Sequence, residues 1–174
     1  MKKRGRRRGA GDGMGGSPDA AGVLICAANF CVTTLEWKVG LFPAGIEQPM
    51  FEVTVEAGFS SGHYLRNYKG KCEHPHGHNY KVRVTLAGAA LDEAGLLLDF
   101  KLLKQVMRPV VERLDHRMLN DLEPFTVLNP SAENLAKYFY EQTSEQLAAM
   151  TQGRVRVKDC TIWETDTTTA TYYE

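Results

Sequence analysis

From residue 51 onward, apolar and polar positions follow two alternating rhythms in turn. Residues 51–63 place Phe51, Val53, Val55, Ala57 and Phe59 on one parity and Glu52, Thr54 and Glu56 on the other. That is the pattern of a half-buried strand. After a polar, glycine-containing loop at 67–71, residues 76–88 alternate again, with Tyr80, Val82, Val84 and Leu86 on one face. Gly88 and Gly95 punctuate the next loop. Phe100, Leu103, Val106, Met107, Val110 and Leu114 then recur at helical spacing behind Asp99, an apt N-cap, with Pro109 expected to kink the helix. After a loop at 120–129, Ser131 is expected to cap a second helix, with Glu133 in its first turn. Leu135, Tyr138 and Phe139 supply its apolar face, Leu147 and Met150 extend it, and Gly153 stops it. Residues 155–163 and 169–173 read as two last strands, the first slipping phase near Asp159-Cys160 as at a bulge.

The predicted order is β-β-α-α-β-β. Consecutive strands pair as antiparallel hairpins, and two amphipathic helices cover one face of a four-stranded antiparallel sheet, an α+β fold.

Residues 1–49 break this pattern. Residues 1–22 are rich in Arg, Gly, Ser and Pro and are expected to be disordered. Residues 23–35 form a mostly apolar run too short to span a bilayer. A basic start before an apolar run is reminiscent of a signal peptide, but glycines and acids separate the two parts and no clear cleavage site follows. The expectation is a disordered or mis-assigned extension, with a targeting segment or a binding tail as alternatives. An amphipathic strand begins directly after Met50, so translation is expected to start there and the domain to span 50–174.

Charge supports this division. Lys+Arg and Asp+Glu both number 21, yet residues 1–49 hold seven basic and four acidic residues, leaving 14 basic and 17 acidic in the body. A domain with that balance is not a nucleic-acid binder, and no membrane association is expected. The four cysteines, Cys26, Cys31, Cys72 and Cys160, form no CxxC pair, which suits reduced thiols in a cytoplasmic protein.

The five histidines sharpen the picture, because four of them (His63, His74, His76, His78) fall within sixteen residues. Extending the strand parities puts His63, His76 and His78 at the ends of apolar faces. An unpaired polar ring there is costly, and a zinc ion bound by three imidazoles with one open position resolves that cost. Bonds to backbone or to acids are the plainer alternative. His74 shares the parity and competes as a ligand.

Five segments in order, FSSGHYL, CEHPHGHNYKV, LDHRMLND, NPSAENLA and WET, resemble the 6-pyruvoyl-tetrahydropterin synthase / 6-carboxy-tetrahydropterin synthase family through nearly all of 50–174. The resemblance implies the tunnelling fold, assembled into trimers or hexamers of one chain with active sites between subunits. It implies zinc on His63, His76 and His78, leaving His74 out. It makes Cys72 the catalytic thiol, with Asp115 and His116 as its proton-relay partners. Glu164 would grip the pterin ring, with Glu133 assisting.

Each implied role has a physical reason. A thiolate forms readily near a cation or a histidine and can take a proton from a carbon whose oxygen zinc polarises. His116 would shuttle that proton, with Asp115 setting its tautomer. Neighbours on a helix do not face each other, so the pair is expected past a helix end, meeting the Cys72 of another subunit. A buried Glu164 carboxylate matches two N–H donors of a pterin edge.

The CxxxHGH spacing is similar to that of 6-carboxytetrahydropterin synthases of queuosine (7-deazaguanine) biosynthesis. That likeness implies conversion of 7,8-dihydroneopterin triphosphate with release of acetaldehyde and triphosphate. A 6-pyruvoyl product is one alternative. Glu73 beside Cys72 suggests another, release of 6-hydroxymethyl-dihydropterin for folate synthesis. A zinc- or pterin-binding oligomer without turnover is the non-catalytic alternative.

Overall fold

The computed structural model describes residues 50–174; the expectations for residues 1–49 lie outside the described residues. The first hairpin joins β1 (Phe51–His63) to β2 (His76–Gly88), antiparallel and in unbroken register. Val55 faces Val84 and Phe59 faces Tyr80, so the apolar parities of the two strands meet on one face. β4 (Arg156–Thr165) pairs with the other edge of β2, and β5 (Thr168–Tyr172) pairs with β4. The expected phase slip is present. Thr85 pairs with Asp159 but Leu86 with Val157, so Lys158 is an extra residue that returns both Val157 and Cys160 to the core.

Two helices cover this face. α1 (Phe100–Leu114) begins where the Asp99 carboxylate accepts the Lys101 N–H, and it buries Leu103, Val106, Met107, Val110 and Leu114 against β1. It runs on through Pro109. Pro109 and Gln105, whose carbonyl loses its partner to the proline, are both exposed, so the carbonyl is not buried without a bond. α2 (Ala132–Thr151) is capped by Ser131 as expected and packs on β4 and β5. It ends slightly early, because Gln152 takes the left-handed conformation (φ 51°) before Gly153 does. Met150 is exposed rather than part of the apolar face. The core closes where Phe59, stacked on Tyr80 at 4.9 Å, meets Phe139 of α2 at 5.7 Å.

One element differs from expectation. The sheet has five strands, ordered β3-β1-β2-β4-β5, because Arg117–Met118 forms a two-residue β3 parallel to Ser61 and Gly62 of β1. Two residues are too few to show a period. β3 exists because the chain leaving α1 is tied to β1, with Ser60 N–H bonded to the Asp115 carboxylate (2.8 Å) and His116 N–H to the Ser60 carbonyl (2.6 Å).

The core should dominate stability over surface charge. Phe139→Ala is expected to cost about 3–5 kcal/mol. Glu52→Ala, which breaks an exposed ion pair with Lys158, should cost about 1 kcal/mol or less. Urea unfolding at fixed protein concentration measures both, and equal losses would contradict this ordering.

Candidate metal centre

Strand register brings the histidines together. In the β1–β2 ladder His63 lies directly opposite His76, and His78 is opposite Ser61, one diagonal step away. Both strands turn these positions to the helix-covered face, so three imidazoles crowd one end of the sheet. Their ligating atoms all lie within 4.8 Å of one another. Tyr80 forms the floor, its ring edge-on to His63 and His78.

Hydrogen bonds settle what two of these rings present. His63 Nδ1 is 2.7 Å from the Pro130 carbonyl, and His76 Nδ1 is 2.8 Å from the His74 carbonyl. A carbonyl only accepts, so each Nδ1 carries the proton, and the neutral form of each ring turns a bare Nε2 lone pair inward. Yet His63 Nε2 and His76 Nε2 stand 3.1 Å apart. Among the described residues His78 Nε2 is buried with no partner, and Glu164 Oε1 lies 3.4 Å from His63 Nε2 and 3.9 Å from His78 Nε2. Acceptor lone pairs of His63, His76 and Glu164 thus converge beside the partnerless His78 nitrogen. A proton is a poor remedy, because burial before all else lowers the pKa of His63 and of His78.

A metal cation fits. Two nitrogens about 2.0–2.1 Å from one tetrahedral zinc would stand about 3.3 Å apart, close to the separation of the His63 and His76 nitrogens. The outer bonds to carbonyls are those that orient metal-bound imidazoles. Three nitrogen donors with a carboxylate at the edge suit zinc better than a hard cation. His74 is exposed and gives only its backbone carbonyl, to His76.

The other predicted residues fall into two groups. Cys72 and Glu73 belong to a short 3-10 turn (Lys71–Glu73) just before His76. The Cys72 carbonyl accepts the Leu65 N–H at 2.8 Å, which folds this turn against the chain leaving His63. Cys72 is half-buried and Glu73 exposed. Glu164 shares the parity of buried Ile162. It is the extra residue where β4 slips against β5 between Trp163 and Thr165, a bulge at the sheet end that holds the histidines. Glu133 is exposed in the first turn of α2, three residues after the Pro130 that holds His63.

Asp115 and His116 stand apart from Cys72, past the end of α1 as expected. Asp115 Oδ2 lies 2.8 Å from His116 Nδ1. The Ser60 N–H bond first, and His116 next, hold the Asp115 carboxyl below the usual range. The carboxylate accepts a hydrogen bond from His116 Nδ1, which turns Nε2 away from Asp115. His116 has positive φ (54°) and is 82% exposed. It lines a cavity of about 490 Å³ that Gly62, Gly77 and Asn79 also border and Cys72 does not.

Some participants escaped the sequence reading. The Pro130 carbonyl is main chain and has no sequence signal. Tyr80 reads only as core, although its buried hydroxyl has no partner.

Because bare imidazoles must bind the metal, loading should fall as pH drops and the rings protonate. With His63 and His78 held neutral by burial, the midpoint should lie below the ordinary histidine value of about 6.5. Metal content after equilibration across pH measures it, and half-release above that value would contradict the geometry.

Comparison with known proteins places the chain in a family. The family model described as 6-pyruvoyl tetrahydropterin synthase matches residues 52–174. A 6-carboxy-5,6,7,8-tetrahydropterin synthase of Bacillus subtilis is 32% identical over 112 residues, covering 62% of this chain and 75% of that protein. A 6-pyruvoyl tetrahydrobiopterin synthase of Drosophila melanogaster is 34% identical over 115 residues, covering 58% and 68%. The solved 6-pyruvoyl tetrahydropterin synthase of Caenorhabditis elegans superposes with a TM-score of 0.65 at 29% identity, covering 74% of this chain and 99% of that one. The fold is the tunnelling fold, with the short β3 added to the expected four strands. The chain belongs to the 6-pyruvoyl tetrahydropterin synthase family.

Proposed function

We propose that this chain is a zinc-dependent carbon–oxygen lyase that converts 7,8-dihydroneopterin triphosphate to 6-carboxy-5,6,7,8-tetrahydropterin, releasing acetaldehyde and triphosphate, in queuosine biosynthesis. Family membership carries the coarser statement, a lyase acting on pterins. The observation behind the finer reading is the set of inward-facing nitrogens on His63, His76 and His78, with Cys72 in the turn that feeds His76. The similarity to the B. subtilis 6-carboxy-5,6,7,8-tetrahydropterin synthase favours this product.

His63, His76 and His78 would hold the zinc. When bound, zinc supplies Lewis acidity that makes a proton on the adjacent side-chain carbon easier to remove. Cys72, as thiolate, takes that proton. Glu164, half-buried at the bulge, accepts N–H donors of the pterin edge and fixes the ring, where shielding from water makes such bonds selective. Glu133 assists from the start of α2. His116 returns the proton through Nε2, with Asp115 fixing its tautomer.

His116 and Cys72 do not meet within one chain, so each site draws them from different subunits of a homo-oligomer. Two sheet edges that are open among the described residues suit such an assembly. β3 covers β1 only at Ser61 and Gly62, and β5 is the last strand on the other side. No helix among the described residues is long and apolar enough to cross a membrane, and we place the enzyme in the cytoplasm.

Glu73 favours one second reading. It is exposed in the same turn as Cys72, so it is free to act as the base and lead to a 6-hydroxymethyl product.

Incubation with dihydroneopterin triphosphate followed by mass spectrometry tests the assignment. The expected product is 6-carboxytetrahydropterin. Cys72→Ala and His116→Ala should each lower kcat about 10²–10⁴-fold. An equal mixture of the two variants, dissociated and reassembled, should recover activity at about a quarter of its sites, since those pair an intact Cys72 with an intact His116. Normal turnover by Cys72→Ala would sink the role of the thiol, and no recovery in the mixture would place both groups in one subunit. A 6-hydroxymethyl product would move the assignment to Glu73.

A further inference from the structure

The carbonyl that orients His63 belongs to a loop with a frame of its own. We propose that Asn120 and Asn129 are positioning residues for His63: their side-chain amides fasten the 120–130 loop to residues 64–66 and so hold the Pro130 carbonyl on the imidazole. This rests on the metal-centre reading above.

The frame begins where the β1–β2 ladder stops. Beyond His63, the backbone groups of Tyr64 and Arg66 have no strand beside them, and two asparagines take the place of one. Asn120, 4% exposed, accepts the Tyr64 N–H and donates to the Tyr64 carbonyl, both at 2.9 Å. Asn129 accepts the Arg66 N–H at 2.7 Å and donates to the Arg66 carbonyl at 2.9 Å. Each amide faces one donor and one acceptor, so its orientation is fixed by its partners. Residues 64 and 66 point their backbone groups the same way in an extended chain, so the two asparagines form one continuous seam.

Two further contacts tie the seam to the metal ligand. Asn134 Nδ2, in the first turn of α2, donates to the Asn129 carbonyl at 2.9 Å. The Arg66 guanidinium gathers the Phe125 and Leu128 carbonyls at 2.9 and 3.1 Å. Asn129 is thus held by side chain and main chain, and the next carbonyl, that of Pro130, accepts from His63 Nδ1 at 2.7 Å. A shift of about 1 Å in this peptide would take that bond out of range and free the ring to turn. Loss of such an outer partner typically lowers metal affinity about 10–100-fold.

A purely structural role would lower stability and leave the ligand geometry alone. The full-length protein is therefore stripped of metal and titrated with zinc against a competing chelator. The set is wild type, Asn129→Ala, Asn129→Asp, Asn120→Ala and Leu147→Val. Leu147 is buried roughly 20 Å along α2 from the loop, so its variant loses stability without touching the frame. Cobalt substitution reports tetrahedral geometry through its visible bands. The expected result is about 10–100-fold weaker zinc binding and altered cobalt bands in the asparagine variants, with Leu147→Val unchanged in both despite a lower Tm. If Asn129→Ala does not fold, Asn129→Asp carries the test, because it keeps the acceptor for Arg66 N–H and sets a charged acceptor in place of the donor to the Arg66 carbonyl. Wild-type affinity and cobalt bands in the asparagine variants would overturn the positioning role alone. A wild-type protein that binds no zinc would overturn the metal centre and the positioning role with it.

Discussion

The constraint on which this site depends is the meeting of bare imidazole nitrogens inside a folded sheet. His63 and His76 are cross-strand partners, each with Nδ1 engaged by a carbonyl, so their Nε2 lone pairs point at one another across 3.1 Å. Two such acceptors repel, and His78 and Glu164 add to the crowding. The strand register cannot relax to separate them, because the same ladder sets Phe59 on Tyr80 and Val55 on Val84 in the core. A one-residue slip would turn the whole apolar face to solvent. The geometry is therefore held against its own electrostatics by core packing, and a bound cation would turn the opposition into binding.

The other candidate residues are set around that point by irregularities in otherwise regular elements. A bulge presents Glu164 at the sheet end, a 3-10 turn folds Cys72 back toward the chain leaving His63, and the α1 terminus places His116 in a left-handed conformation braced by Ser60 and Asp115. Strain of this kind costs about 1–3 kcal/mol per residue and persists where surrounding bonds over-determine it. His116 is exposed, whereas His63 of the histidine cluster is buried, which is the arrangement behind the proposal that subunits share each site.

Much of this was legible in the sequence because it depends on period. The alternation through residues 51–63 and 76–88 located both strands and, extended by parity, put His63, His76 and His78 on one face. Asp99 and Ser131 marked their helices because a cap needs one side-chain acceptor at a fixed place. Parity could not separate His74 from the other three; that required knowing that the strand begins at His76 and leaves His74 in the preceding turn. The two-residue β3 had no period to show, and the roles of Pro130, Asn120 and Asn129 lie in main-chain carbonyls and loop contacts fixed only by the tertiary fold.

Zinc-edge X-ray absorption on the protein as purified tests the central claim most directly. The expected result is one zinc per chain, with imidazole nitrogens at about 2.0–2.1 Å and the outer-shell scattering of histidine rings. Absence of metal, or a shell of oxygens alone, would contradict it.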